Sequence, residues 1–285
     1  MKSSPSYETK ITIESMYPES KPVSRIRYID AVKGITILWV VLMHLEINPF
    51  WPEAATQMGI FFLISGMFFK PQNFKKNIKK KYQSLLIPLL WFWLISWIVM
   101  LLKVDLPEYI HNGTFAPDKT FDFINRYSYL RVNILWFLMA LFATNIFYNG
   151  LCNIIKEHKI LWLISISGIL YLGGCYITGH RTAEGWQSVY DNPYFPLGPF
   201  LINQVYFVIG FLFSKALFKY NGNPVISLLF LISYSVICKF IPLPFLILLI
   251  PYTILIFMVI SSFSKRYDRG VIYYFDFSYS VVRIP

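Results

Sequence analysis

A lysine at the start of the first long apolar run of the chain, Lys33, is followed eleven residues later by a histidine inside it, His44. At about 100° per residue, eleven residues turn about 20° past three full turns. On a helix both side chains therefore leave from nearly the same face, about 16 Å apart along the axis. An ionisable group in a hydrocarbon-facing segment is costly, and reads as functional where it has a partner or a cavity. A basic group at the membrane surface can hold a phosphate-bearing anion. A histidine deeper in the bundle can take a proton from a hydroxyl, or briefly accept a transferred group. Each residue also has a plainer reading: Lys33 as a snorkelling interfacial anchor, His44 as a helix–helix hydrogen-bonding group. Glu46, about 200° around the helix from His44, is poorly placed to orient the imidazole and marks the outer end of the span.

Three further stretches bear on the same chemistry. In Phe61-Phe62-Leu63-Ile64-Ser65-Gly66, the small residues, with Gly59 before them, let another helix approach closely. Ser65 has no base beside it in sequence, so a serine nucleophile is weakly supported. The run Lys75 to Pro88 (KKNIKKKYQSLLIP) places five lysines just outside an apolar segment. There they can anchor the chain against anionic membrane lipids, or neutralise the phosphates of a ligand at the mouth of a cavity. Trp136, in Asn133 to Leu138, suits an interfacial aromatic belt. His111, His158, His180 and Arg181 fall in loops and read as loop residues.

The elements that must position these groups are membrane helices. Only 14% of the 285 residues are charged, against about 25% in soluble domains, and 56% are hydrophobic, with mean hydropathy +0.50. The net charge of +11 does not point to nucleic acid, because the lysines and arginines sit in short loops between apolar runs and form no stripe. Reading between charges gives spans at 34–51, 54–69, 82–102, 132–155, 160–179, 192–214, 220–238 and 240–264, and a ninth that starts near Val271 and is broken by Asp276 and Arg283. The expected fold is all-α, a polytopic membrane bundle of about eight or nine transmembrane helices. With the N-terminus cytoplasmic, 19 of the 26 lysines and arginines fall inside, which supports that orientation. Residues 103–131 and 180–191 then form the longer outer loops. Residues 1–24 read as a flexible cytoplasmic tail without a cleavable signal, and 25–285 as one membrane domain. Cys152, Cys175 and Cys238 show neither disulfide nor metal-ligand spacing, and no metal is expected.

Together these residues resemble the acyltransferase 3 family of integral membrane O-acyltransferases. The likeness is carried by Tyr28-Ile29-Asp30 leading into Lys33-Gly34, by the basic-x10-His spacing ending at His44, and by Phe61 to Gly66. The basic cluster before Leu85-Leu86-Ile87-Pro88 and the Leu135-Trp136-Phe137-Leu138 helix entry add to it. It is concentrated in the first 140 or so residues. The resemblance implies acetyl-CoA or another acyl-CoA as donor and a hydroxyl of a glycan or lipid-linked sugar as acceptor, in the bacterial cytoplasmic (inner) membrane. It implies His44 and Lys33 as the catalytic pair and Lys79, Lys80 and Lys81 as the residues that attract the donor phosphates. The family's R-x-x-R pair falls here on Lys81 and Ser84, so one of the two charges is absent. The family typically has about ten membrane helices, and the chain stops within the ninth. Two other readings stay open: a membrane carrier of a glycan or anionic substrate, with His44 and Glu46 as a proton-coupled site, and a shortened non-catalytic homologue.

Overall fold

The computed structural model describes residues 26–44, 56–100, 110–111, 136–155, 157–177, 197–238, 240 and 245–281. Among them the regular elements are all helical, and the fold is a membrane helix bundle. In chain order these are α1 (Arg27–His44), α2 (Thr56–Met67) and α3 (Phe74–Lys81), then a π-helical turn (Tyr82–Leu86) that runs into α4 (Ile87–Met100). They continue with α5 (Trp136–Ile154), α6 (Lys159–Ile177), α7 (Leu197–Leu212), α8 (Ser214–Lys219), α9 (Pro224–Cys238) and α10 (Phe245–Val281). Helices α5, α6 and α10 are long and apolar enough to cross a bilayer, while α2, α7 and α9 contain shorter apolar stretches. The outer loops expected at 103–131 and 180–191 lie almost wholly outside the described residues, as do residues 1–25 and Glu46.

Local sequence accounts for several boundaries. Asn223 caps α9, its Oδ1 accepting from the Val225 N–H at 2.9 Å, and Pro224 takes the first helical position, where no N–H is needed. Asn73 does the same for α3 through the Lys75 N–H at 3.1 Å. The stretch from Val271 does not form a separate ninth element but continues α10. Residues 265–270 carry charge but no proline, and charge ends an apolar span without ending a helix.

The core is built where α7 lies against α2, α6 and α5, with α10 between α9 and α1. Phe62, Leu63, Tyr148, Phe207 and Phe257 are buried almost completely. Tyr148 stacks on Phe207 at 5.5 Å, and Phe69 sets its edge to Phe207 at 5.0 Å. Glycines let α2 and α7 meet backbone to backbone: a Cβ on Gly66 would run into the Phe207 carbonyl, and one on Gly210 into the Leu63 carbonyl. The exposed apolar residues, among them Trp91, Phe92, Trp162, Ile169, Leu172 and Phe230, form the surface that meets lipid.

Lys33 of α1 and Lys265 of α10 both come to the end of α8 around Phe218. The Lys33 Nζ lies 5.8 Å from the Phe68 ring centroid, and Phe68 packs edge-on against Phe218 at 5.2 Å. The Lys265 Nζ donates to the carbonyls of Phe218, at 2.9 Å, and Tyr220, and stands 4.1 Å over the Tyr28 ring. It thus ties α10 to the end of α8 and the start of α1. Replacing Lys265 by Met removes the cation–π contact and leaves two carbonyls short of a donor. An expected loss of about 1–3 kcal/mol is readable as a lower Tm in detergent. Arg266→Met, at an exposed neighbouring position, should leave Tm nearly unchanged.

Candidate functional site

The first-turn residues of α1 pack inward: Tyr28, Ile29 and Val32 are buried, and Asp30 lies in the first turn, where a negative charge suits the helix dipole. Lys33 follows at the edge of the core, half-buried, while Gly34 is open and a Cβ there would meet nothing. From Lys33 the helix runs without a break to His44, with the Thr36 hydroxyl bonded back to the Val32 carbonyl at 2.7 Å. Lys33 and His44 thus belong to one uninterrupted helix, the geometry their shared face requires. The His44 side chain is outside the described residues.

Beside α1, helix α2 carries Phe61 to Gly66. Gly59 and Gly66 face α7 and α10, where a Cβ on Gly59 would press on Tyr206 and Thr253. Their service as close-packing positions therefore stands. Ser65 turns another way: its Oγ accepts from the Asn145 Nδ2 at 3.2 Å. An amide donor does not activate a hydroxyl, so the contact gives Ser65 no nucleophile's environment. His111 and His158 are both exposed, and His158 stands at φ 46° in the turn before α6. His180 lies outside the described residues.

A column of asparagines on α5, at 145, 149 and 153, holds the segment that leads into α3. The Asn149 Oδ1 accepts from the Gln72 N–H at 2.9 Å, and the Asn153 Nδ2 donates to the Gln72 carbonyl at 3.2 Å. Gln72 in turn donates to Asn77 Oδ1 at 3.1 Å, and the Asn77 Nδ2 reaches the Asn145 carbonyl at 3.5 Å. The column was missed from sequence, although three amides at four-residue spacing in an apolar helix are a legible sign of a polar seam.

This clamp decides how the lysines of α3 are presented. At about 100° per residue, Asn77, Ile78 and Lys81 share the side toward α5, where Asn77 is buried and Lys81 half-buried. Lys75, Lys76, Lys79 and Lys80 occupy the exposed side. Loss of water around Lys81, and then the neighbouring charge of Lys80, hold its pKa below the usual lysine value. The π-helical turn follows at once, with the Ile87 N–H bonded to the Tyr82 carbonyl and Ser84 exposed. Single π-helical turns inside α-helices are frequent at functional sites.

Deeper in the bundle, the buried Gln204 amide is saturated. Its Oε1 accepts from the Tyr148 hydroxyl and, at 2.9 Å, from the Ser167 hydroxyl. Its Nε2 donates to the carbonyls of Ser167 at 2.9 Å and Leu201 at 3.0 Å. This node pins α5, α6 and α7 together and leaves no polar atom of the amide free for a substrate.

The chain matches the model of the acyltransferase 3 family, described as an acyltransferase domain, over residues 26–279. No curated protein and no solved structure matches it.

Proposed function

We propose that this chain, which belongs to the acyltransferase 3 family and is a multi-pass membrane acyltransferase, moves an acyl group, acetyl in the first instance, from acyl-CoA to a hydroxyl of a cell-envelope glycan or lipid-linked sugar. The reading sets the protein in the bacterial cytoplasmic membrane with its N-terminus cytoplasmic. The observation that carries it is the single unbroken helix from Lys33 to His44 within a chain of this family.

Lys33 marks the phosphate end of the site, with Lys81 on the bundle side of α3 and Lys79 and Lys80 on its outer side. Together they draw the donor's phosphates to the lysine end of the bundle. His44, about 16 Å further along the axis, takes the proton of the sugar hydroxyl as its oxygen attacks the thioester carbonyl. The C–S bond then breaks, and the imidazolium returns the proton to the leaving thiolate. A donor held by its phosphates at one end and reacting at the other needs a long flexible arm, which the pantetheine of CoA supplies. The same arrangement serves a relay in which His44 first accepts the acyl group.

Two measurements test the reading. Purified protein in lipid nanodiscs, given labelled acetyl-CoA and cell-envelope glycan, should move label to the glycan; no transfer together with no acetyl-CoA binding would overturn the assignment. Lys81→Gln should weaken acetyl-CoA binding about tenfold, the equivalent of roughly 1.4 kcal/mol, and the deficit should shrink as salt is raised. Because the pKa of Lys81 is lowered, its charge is lost at lower pH than that of a free lysine. Donor affinity should then fall as pH rises through that value, and Lys81→Gln should flatten this limb. Equal affinity and an unchanged pH limb in the variant would remove Lys81 from the donor site.

A further inference from the structure

Phe74 to Met100 form one continuous helical rod. Helix α3, the π-helical turn and α4 follow one another without a non-helical residue, and the junction residues Tyr82 and Ile87 both hold right-handed helical dihedrals. The exposed surface of this rod changes character along its length. Leu90, Trp91, Phe92 and Ile95 of α4 lie open to lipid, Tyr82 is exposed at the turn, and α3 presents lysines. At 1.5 Å per residue, Lys80 stands about 10 Å beyond Ile87, the first exposed apolar residue of α4. The headgroup layer adds about 5–8 Å to each side of the hydrocarbon, so Lys79 and Lys80 border it. Lys75 and Lys76 lie one turn further out, from where a four-carbon stem reaches back toward it.

The asparagine clamp fixes which side of α3 is outward. With Asn77 buried against the Asn145 carbonyl, Lys75, Lys76, Lys79 and Lys80 all lie on the exposed side, within an arc of about 140°. The pairs 75–79, 76–79 and 76–80 are neighbours on the helix surface, where like charges oppose the helix. Local sequence supplies nothing to offset them, since no aspartate or glutamate occurs between Glu53 and Asp105. A face of four cations directly joined to a membrane-spanning helix is complementary to the phosphates of an anionic leaflet.

We propose that the outer face of α3 is a binding site for anionic phospholipid, with the lipid phosphates against Lys75, Lys76, Lys79 and Lys80 and the acyl chains in the layer that exposed α4 faces. Continuity of the lysine face with the lipid-facing rod selects a lipid over a soluble anion. Bound phosphate offsets the repulsion among the four lysines and holds α3 at the membrane surface, a second support beside the asparagine clamp. Lys81 stands on the opposite side, toward α5, and takes no part. Lys79 and Lys80 then add to the field that draws the donor, while the contacts they make are to lipid.

The test titrates the full chain in detergent with phosphatidylglycerol or phosphatidylcholine and counts retained lipid by native mass spectrometry. The wild type should hold phosphatidylglycerol more tightly than phosphatidylcholine, and the preference should shrink as salt is raised. The double variant Lys75→Gln/Lys76→Gln should weaken phosphatidylglycerol about 25-fold, from about fivefold for each lysine near the surface, and leave phosphatidylcholine unchanged. Lys81→Gln should leave both unchanged. Equal retention of the two lipids by the wild type, or a double variant that still binds phosphatidylglycerol as tightly, would overturn the proposal. So would a loss in Lys81→Gln as large as in the double variant. Soluble glycerol phosphate that displaced phosphatidylglycerol at equal concentration would assign the face to a free anion and overturn the lipid. Should the double variant fail to fold, the wild-type preference and its salt dependence carry the decision. None of these readouts requires acyl transfer, so they stand or fall apart from the assignment of the reaction.

Discussion

His44→Ala is expected to reduce acyl transfer from acetyl-CoA to envelope glycan by about 10²–10⁴-fold, the range for loss of a positioned general base, with the variant still folded. The change should fall on kcat. In the proposed reading the phosphates of the donor are held at the Lys33 end of the site, about 16 Å away along α1, so donor binding should not depend on the imidazole. Lys33→Met should give the opposite signature, a raised KM for acetyl-CoA with kcat less affected, because an interaction made equally in ground and transition states lowers KM without accelerating chemistry. The pair of variants thus separates the two ends of one helix kinetically. If His44→Ala retained wild-type turnover, His44 would be a packing residue and the base would have to be sought elsewhere. If both variants changed KM alone, the shared face of α1 would be a binding surface without chemistry.

How much of this was legible beforehand depended on how local each feature is. The relation between Lys33 and His44 is a property of one helix, fixed by 3.6 residues per turn, and it needed only the spacing. The close-packing role of Gly59 and Gly66 was legible as small residues in a short apolar helix, but their partner was not. That partner is α7, some 140 residues further on, and only tertiary structure brings the Phe207 carbonyl onto Gly66. The lysines of 75–81 were read as a single cluster because the segment is short and polar. Once Asn73 caps it as a helix, the 100° turn per residue divides it, with Lys81 toward the bundle and Lys79 and Lys80 away from it. The asparagine column of α5 escaped notice because each amide alone is tolerable in an apolar run. Its meaning comes from Gln72, which no local pattern connects to Asn149. Charges were also read too readily as breaks: Lys265, Arg266 and Arg269 suggested a loop, yet α10 passes through them.

The contact between α2 and α7 should be the most sensitive point of the fold. Built onto Gly66, a Cβ falls on the Phe207 carbonyl. Built onto Gly210, it falls on the Leu63 carbonyl. In both cases the obstacle is backbone, which cannot rotate aside as a side chain could, so the helices must separate. Gly66→Ala and Gly210→Ala should each cost about 1–3 kcal/mol or more, as overpacking does. The double variant should cost less than the sum, because the first separation already makes room for the second methyl. Gly168→Ala is the control: on the exposed side of α6 a Cβ would meet nothing, and alanine is the better helix former by about 1 kcal/mol. Thermal unfolding in detergent should therefore show a marked drop in Tm for the first two variants and none for the third. Activity should fall with stability in Gly66→Ala, because α2 leads into Phe68 beside Lys33, and a shifted α2 disturbs that end of the proposed site. A Gly66→Ala protein as stable as Gly168→Ala would show that α2 and α7 do not meet through this pair.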